Sequence, residues 1–291
     1  MSSGKPSIYI PTLYVAEGLP YTLVIMMSAV FFKNLGATNE FIGLTSFLYI
    51  PWTIKLFWAP LVDFYGTRRR WIVVSQLVLA GLLATLAAGA VTPYAISLAL
   101  GTFALVALVS ATQDIAIDGY YLEVLNKAQQ AFYVGVRNAA YKVAWLLGSG
   151  GLVYVAGRLG ECIGTAGGWS AAFAVCAVLF LAFFAFHSFY LPDAPRAEGS
   201  PAGERLTFAA FVRVFTTYFD QPRIAAVVAF ILVFRLGDAL MLKMAQPFLL
   251  DPPDKGGLGI STADVGLIYG TIGTIFLLLG GIVGGWLVAR G

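Results

Sequence analysis

Charge is scarce in this chain. Asp, Glu, Lys and Arg make up only 11% of its 291 residues, against about 25% in soluble domains. That is too little charge to clothe a globular surface, so a soluble domain is excluded. Histidine occurs once and cysteine twice, and neither is placed for metal binding. His187 stands near the end of an apolar run and is expected at the membrane interface. Cys176 falls in an apolar helix and is expected to be a small packing residue. Cys162 is expected in a short loop, and a disulfide between the two stays open. The net charge of +3 is small, and the basic residues sort by loop without forming a nucleic-acid patch.

Apolar residues supply what charge does not: 59% of the chain is hydrophobic, with a mean hydropathy of +0.82. A bilayer crossing takes about 20 apolar residues, and eight such spans can be read, near 8–32, 40–62, 71–90, 94–119, 130–157, 169–190, 223–249 and 263–288. The first follows Lys5 and contains Glu17, so it reads as a retained helix, not a cleaved signal. The connections are short except 192–206, a stretch rich in Pro, Gly and charge that marks a linker. Residues 207–219 look amphipathic and suit the membrane surface. The expected organisation is a six-helix bundle over 1–191, a cytoplasmic linker over 192–222, and the first two helices of a second bundle over 223–291. Spans two and eight end alike, so the chain is expected to stop four helices short of a second complete bundle. Lys5, Arg68, Arg69, Arg70, Lys127, Arg196, Arg205, Arg213 and Arg290 share one side, and Lys33, Arg158 and Lys255 the other. Basic loops stay in the cytoplasm, which places both termini there.

Charge does appear where it is least welcome. Glu17, Lys55, Asp114, Asp118, Arg137, Lys142, Arg235, Asp238 and Lys243 lie inside the apolar runs. Each costs roughly 2.5–3.5 kcal/mol at mid-bilayer even on lenient scales. A hydrated path through the molecule is the simplest reason to keep them, which points to transport. Asp114 and Asp118 are four apart and share a helix face with Gln113 beside them, and two close carboxylates cannot both ionise cheaply. With Glu17, set between Pro11 and Pro20, they are the candidate proton carriers. Lys55, Lys142, Arg235, Asp238, Gln113 and Tyr141 are the candidate solute contacts, although Lys55 could instead snorkel outward and Arg235 could pair with Asp238. Five bases against four acids leave a slight positive excess, which suits an anionic small molecule. Tyr14, Tyr21, Tyr49, Trp52, Tyr141 and Trp145 accompany these charges, as sugar-stacking faces or as interfacial aromatics.

The loop after the second span, Ala59-Pro60-Leu61-Val62-Asp63-Phe64-Tyr65-Gly66-Thr67-Arg68-Arg69-Arg70, resembles the signature of the major facilitator superfamily, G-x-x-x-D-R/K-x-G-R-R/K. It departs at Ala59, Phe64 and Thr67. The resemblance implies an all-α polytopic membrane fold and a gate built on Asp63, Gly66, Arg68 and Arg69; Arg137, in the fifth span, reads separately as a gate residue or a structural pair. Asp63 can cap the following helix and pair with arginines. Glu17-Gly18-Leu19-Pro20, the run Lys55 to Asp63, the run Ser110 to Asp118 and Ala140-Tyr141-Lys142 look like the AmpG family of muropeptide permeases. That likeness implies a proton-driven, monomeric carrier in the bacterial inner membrane that imports anionic cell-wall fragments. The same branch includes acetyl-coenzyme A transporters, so another anionic solute stays open. No catalytic residue, metal or cofactor is expected. The competing enzyme reading, an intramembrane prenyltransferase, needs a second aspartate cluster on the side of Asp114 and Asp118, and Asp251 with Asp254 falls on the other. A channel suits single asymmetric charges and proline-broken helices less well than alternating access does. A scaffold would tolerate replacement of the buried charges.

Overall fold

Pro11 and Pro20 do not stop the first helix. The computed structural model describes residues 4–193 and 223–276, leaving aside the side chains at 63–64, 231–232, 235–239 and 242. In it, α1 runs unbroken over Pro6–Asn34. A π-helical turn, Leu23–Met27, follows within one turn of Pro20, where the hydrogen-bond ladder already lacks a donor. The second segment, α2, spans 39–64 and is not the continuous helix its apolar run suggests. It is a string of short pieces, Asn39–Leu44, Thr45–Tyr49, Ile50–Ile54, Lys55–Phe57 and Ala59–Phe64. Pro51 and Pro60 each remove a donor and crowd the turn before them.

Four long helices follow: α3 (Arg68–Gly89), α4 (Ala95–Val124), α5 (Lys127–Ile163) and α6 (Thr165–Tyr190). Gly66 turns the chain into α3 with a positive φ of 77°. Thr67 then caps the helix, its hydroxyl accepting from the Arg70 N–H at 3.2 Å. So the residue that departs from the signature supplies the cap expected of Asp63, whose side chain lies outside the described set. A capping box between Asn126 and Gln129 opens α5, and a second π-helical turn, Leu146–Leu152, interrupts its α-helical ladder halfway. After the linker come α7 (Ile224–Leu250) and α8, described over Thr262–Phe276. The expected amphipathic stretch 207–219 lies outside the described residues, as does most of the linker. Among the described residues no strand occurs, and α1, α3, α4, α5 and α6 are long and apolar enough to cross a membrane.

Burial separates the centre from the rim. The most apolar window of α1 is 89% buried, whereas those of α5 and α6 are only 33% buried. α1 is therefore the axial helix and its neighbours turn a face to lipid. Above and below mid-membrane the packing is aromatic. Phe31, Phe32, Phe103, Trp169 and Phe173 form one cluster, with the Phe31 and Phe173 rings 5.2 Å apart. Tyr9, Tyr14, Tyr120 and Tyr121 form part of another. Glu17 falls between them.

Two expectations need correcting. His187 is not interfacial: it is fully buried between α1, α3 and α6, bonded to Gln76 Oε1 at 3.0 Å and Thr12 Oγ1 at 3.0 Å. Two polar neighbours on adjacent helices offset its burial more fully than the interface could. Cys162 lies on the last turn of α5, not in a loop. It is exposed while Cys176 is buried, and both are free thiols.

Candidate functional site

Mid-membrane, α1 carries Glu17, which is 9% exposed. Beside it, Gln113 Nε2 donates to the Ala16 carbonyl at 2.9 Å and fastens α4 to α1. That contact aims the next residue on α4, Asp114, at Glu17, and Asp118 follows one turn later on the same face. Oxygens of Glu17, Asp114 and Asp118 all lie within 4.8 Å of one another. Three carboxyl groups so close inside an apolar bundle demand positive charge, and two other elements supply it.

Lys55 comes from the joint in α2 and pairs with Asp114. It turns inward to its partner and does not snorkel. The break in α2 makes this possible, because Trp58 in the same joint donates to Thr112 Oγ1 at 3.2 Å and pins the segment to α4. Arg137 comes from α5 and lies 3.4 Å from Asp118. Its guanidinium also sits over the rings of Tyr14, at 4.7 Å, and Tyr121, at 5.4 Å, a favourable cation–π geometry. Tyr14 donates to the same Asp118 oxygen at 3.0 Å. Tyr14 was expected only as an aromatic companion of charge. Its place one turn before Glu17 was the available signal for a role at Asp118.

A cavity of about 280 Å³ opens on this cluster, lined by Glu17, Tyr21, Tyr49, Trp52, Lys55, Asp114 and Tyr141. Tyr21 is edge-on to Trp52 at 5.2 Å and tilted against Tyr141 at 6.2 Å. The lining thus combines three charged groups with four aromatic rings. Among the described residues, the buried oxygens Glu17 Oε2 and Gln113 Oε1 have no hydrogen-bond partner. Such groups are costly to leave unsatisfied, so this is a place for a proton or a polar ligand. The three carboxyls offer the oxygen set of a hard cation, but Asp114 and Asp118 already engage Lys55 and Arg137.

The remaining expected residues lie elsewhere. The side chain of Lys142 is half-buried and makes no ion pair or hydrogen bond among the described residues. The side chains of Arg235 and Asp238 lie outside the described set. Gly66, Arg68 and Arg69 stand at one end of the bundle. Arg68 reaches the Gly119 carbonyl at 2.7 Å and Glu123 at 3.2 Å, while Arg69 binds the Ser188 carbonyl at 2.5 Å and Asp193 at 2.8 Å. They tie α3 to α4 and α6. Lys243 is nearly buried, its ammonium donating to the Ile25 carbonyl in the π-helical turn of α1 at 2.9 Å. Asp251 engages Lys33 and Asp254 is exposed, which leaves no paired aspartates there.

Apolar helices wrapped round a charged, ring-lined cavity define the architecture of an integral membrane protein with a polar site at its centre. The sequence model of the Major Facilitator Superfamily matches residues 12–291, and the chain belongs to that superfamily. Relatives at low identity agree. The chain is 26% identical over 291 residues to an uncharacterised protein of Haemophilus influenzae, covering 94% of this chain and 62% of that one. It is 24% identical over 292 residues to an AmpG-named transporter candidate of Rickettsia conorii, covering 96% and 66%. It is 25% identical over 281 residues to the anhydromuropeptide permease of Escherichia coli K12, covering 94% and 54%. The chain thus spans between about half and two thirds of the length of these relatives. No solved structure matches it at a significant level.

Proposed function

We propose that this chain carries the proton- and solute-binding half of a secondary transporter that imports anionic cell-wall muropeptides across the bacterial inner membrane. The observation that carries the reading is the charge inventory around the cavity. Three carboxyl groups (Glu17, Asp114 and Asp118) face two cations, Lys55 and Arg137. One proton completes the balance. Adding or removing it changes the net charge of a site in low dielectric, where a unit of charge is expensive.

In this mechanism an anionic group of the solute competes with Asp114 for Lys55. The displaced carboxylate then takes up a proton, so solute and proton enter together. The cavity is slightly below the roughly 300–1,000 Å³ of typical ligand sites, which fits one sugar ring or one carboxylate-bearing portion at a time. Tyr21, Tyr49, Trp52 and Tyr141 would offer flat apolar faces to such a ring. Alternating access follows from relative movement of 1–191 against 223–291, with both termini cytoplasmic.

The test is uptake of labelled anhydro-muropeptide into membrane vesicles with and without a proton gradient. Uptake is expected to follow the gradient and to be lost in Asp114→Asn. Gradient-independent uptake would remove the coupling, and unimpaired Asp114→Asn would remove that residue's role.

A further inference from the structure

Lys33 and Asp251 end two helices from opposite ends of the chain, and they meet. Lys33 lies in the last turn of α1, 2.6 Å from Asp251, which closes α7. Asn39 stands between them at the start of α2. Its oxygen accepts from Lys33 at 2.6 Å and its amide donates to the second Asp251 oxygen at 3.0 Å. A parallel strut lies alongside: Asn34 Oδ1 accepts from Thr262 on α8 at 2.9 Å and from Trp169 on α6 at 3.0 Å. Three of these links, Lys33–Asp251, Asn39–Asp251 and Asn34–Thr262, join the first six segments to α7 or α8.

Asp251 is held from behind as well. The loop doubles back on the end of α7, with the Gly259 N–H on the Asp251 carbonyl at 2.7 Å and the Ile260 N–H on the Leu249 carbonyl at 2.8 Å. Gly256 and Gly259 take φ values of 82° and 65°, which the reversal requires. The Lys33 and Asp251 side chains are only 16% and 13% exposed, so this pair is not one of the solvated surface pairs that contribute little. Further in, α5 and α8 touch backbone to backbone: a Cβ at Gly157 would meet Ala263, and one at Gly266 would meet Tyr154. No solute passes between them in this arrangement.

We propose that Lys33, Asn39 and Asp251 form a clasp that keeps this end of the interface shut, opposite the Arg68 loop, and that it breaks when the path opens there. The other charges facing it are Glu40 and Lys255, which line the same cavity of about 660 Å³. The inference depends on membership in a transporter superfamily and on no particular solute or coupling ion.

The test reads opening without any solute. Gln246, 1% exposed on α7 and five residues before Asp251, is replaced by cysteine in a Cys162→Ser background of the full chain in membranes. A membrane-impermeant maleimide is then applied. Slow labelling is expected in the parent, and a roughly tenfold rise in Lys33→Ala and in Asp251→Ala, the weight of one charged hydrogen bond. The reversed pair, Lys33→Asp with Asp251→Lys, should return the rate towards the parent. Asn39→Ala keeps both charges and should give a smaller rise. Buried Cys176 reports unfolding, since it reacts only if the bundle comes apart. Parental rates in all three single variants, or a reversed pair that labels as fast as they do, would overturn the clasp.

Discussion

Asp114 and Lys55 show how much one partner matters to the other. Each is largely covered, at 13% and 27% side-chain exposure, and removing one leaves an ion without its counter-charge in a poor solvent for it. Lys55→Met is therefore expected to destabilise the protein by about 2 kcal/mol, read as a lower unfolding temperature in detergent. Lys55→Met combined with Asp114→Asn should recover most of that loss while leaving uptake absent. A double variant no more stable than the single one would show that the pair is not coupled. Tyr14→Phe removes only the hydroxyl that donates to Asp118. A hydrogen bond to a charged acceptor is worth about 1.5–3 kcal/mol, so this small change should lower the unfolding temperature measurably, and an unchanged value would remove the bond from the account.

The helices succeed or fail at their joints. Thr67 holds the start of α3 against three arginines whose charge opposes the helix dipole. Thr67→Ala should cost about 1 kcal/mol, measured by thermal unfolding, and Thr67→Ser should cost little. Where α5 meets α8, an added side chain has no room. Gly157→Leu is expected to separate the two helices at a cost of about 3 kcal/mol, with cysteine accessibility rising along the Gly157–Ala263 seam. The break in α2 belongs here too. Its apolar run reads as a continuous span, and the two prolines were visible, but that they would divide it into five pieces was not. The pieces follow from where Lys55 and Trp58 find partners on α4, and those partners lie 59 and 54 residues away.

Across the molecule, the clasp predicts how opening depends on pH. Hydrogen bonds from Lys33 and then Asn39 hold the Asp251 carboxyl below the usual carboxylate range. A depressed carboxylate stabilises the closed arrangement above its ordinary range and loses that effect only as pH falls through the lowered value. The labelling rate at Gln246→Cys, divided at each pH by that of an exposed cysteine because only the thiolate reacts, should thus stay flat between about pH 7 and 5, since ordinary carboxylates titrate near 4. A steep rise in that window would place the controlling group elsewhere. Much of the design was legible in order along the chain: apolar lengths set the spans, and the fourfold spacing of Asp114 and Asp118 put two acids on one face. Glu17 between prolines marked the third. Those are local facts, fixed by helical rise and by the cost of charge in hydrocarbon, so composition and spacing suffice to read them. Which cation answers which acid is different. Lys55 on Asp114, Arg137 on Asp118 and Lys33 on Asp251 each join charges that are not neighbours in the chain. Coulomb attraction and desolvation depend on distance in space, and that distance exists only once the helices have packed.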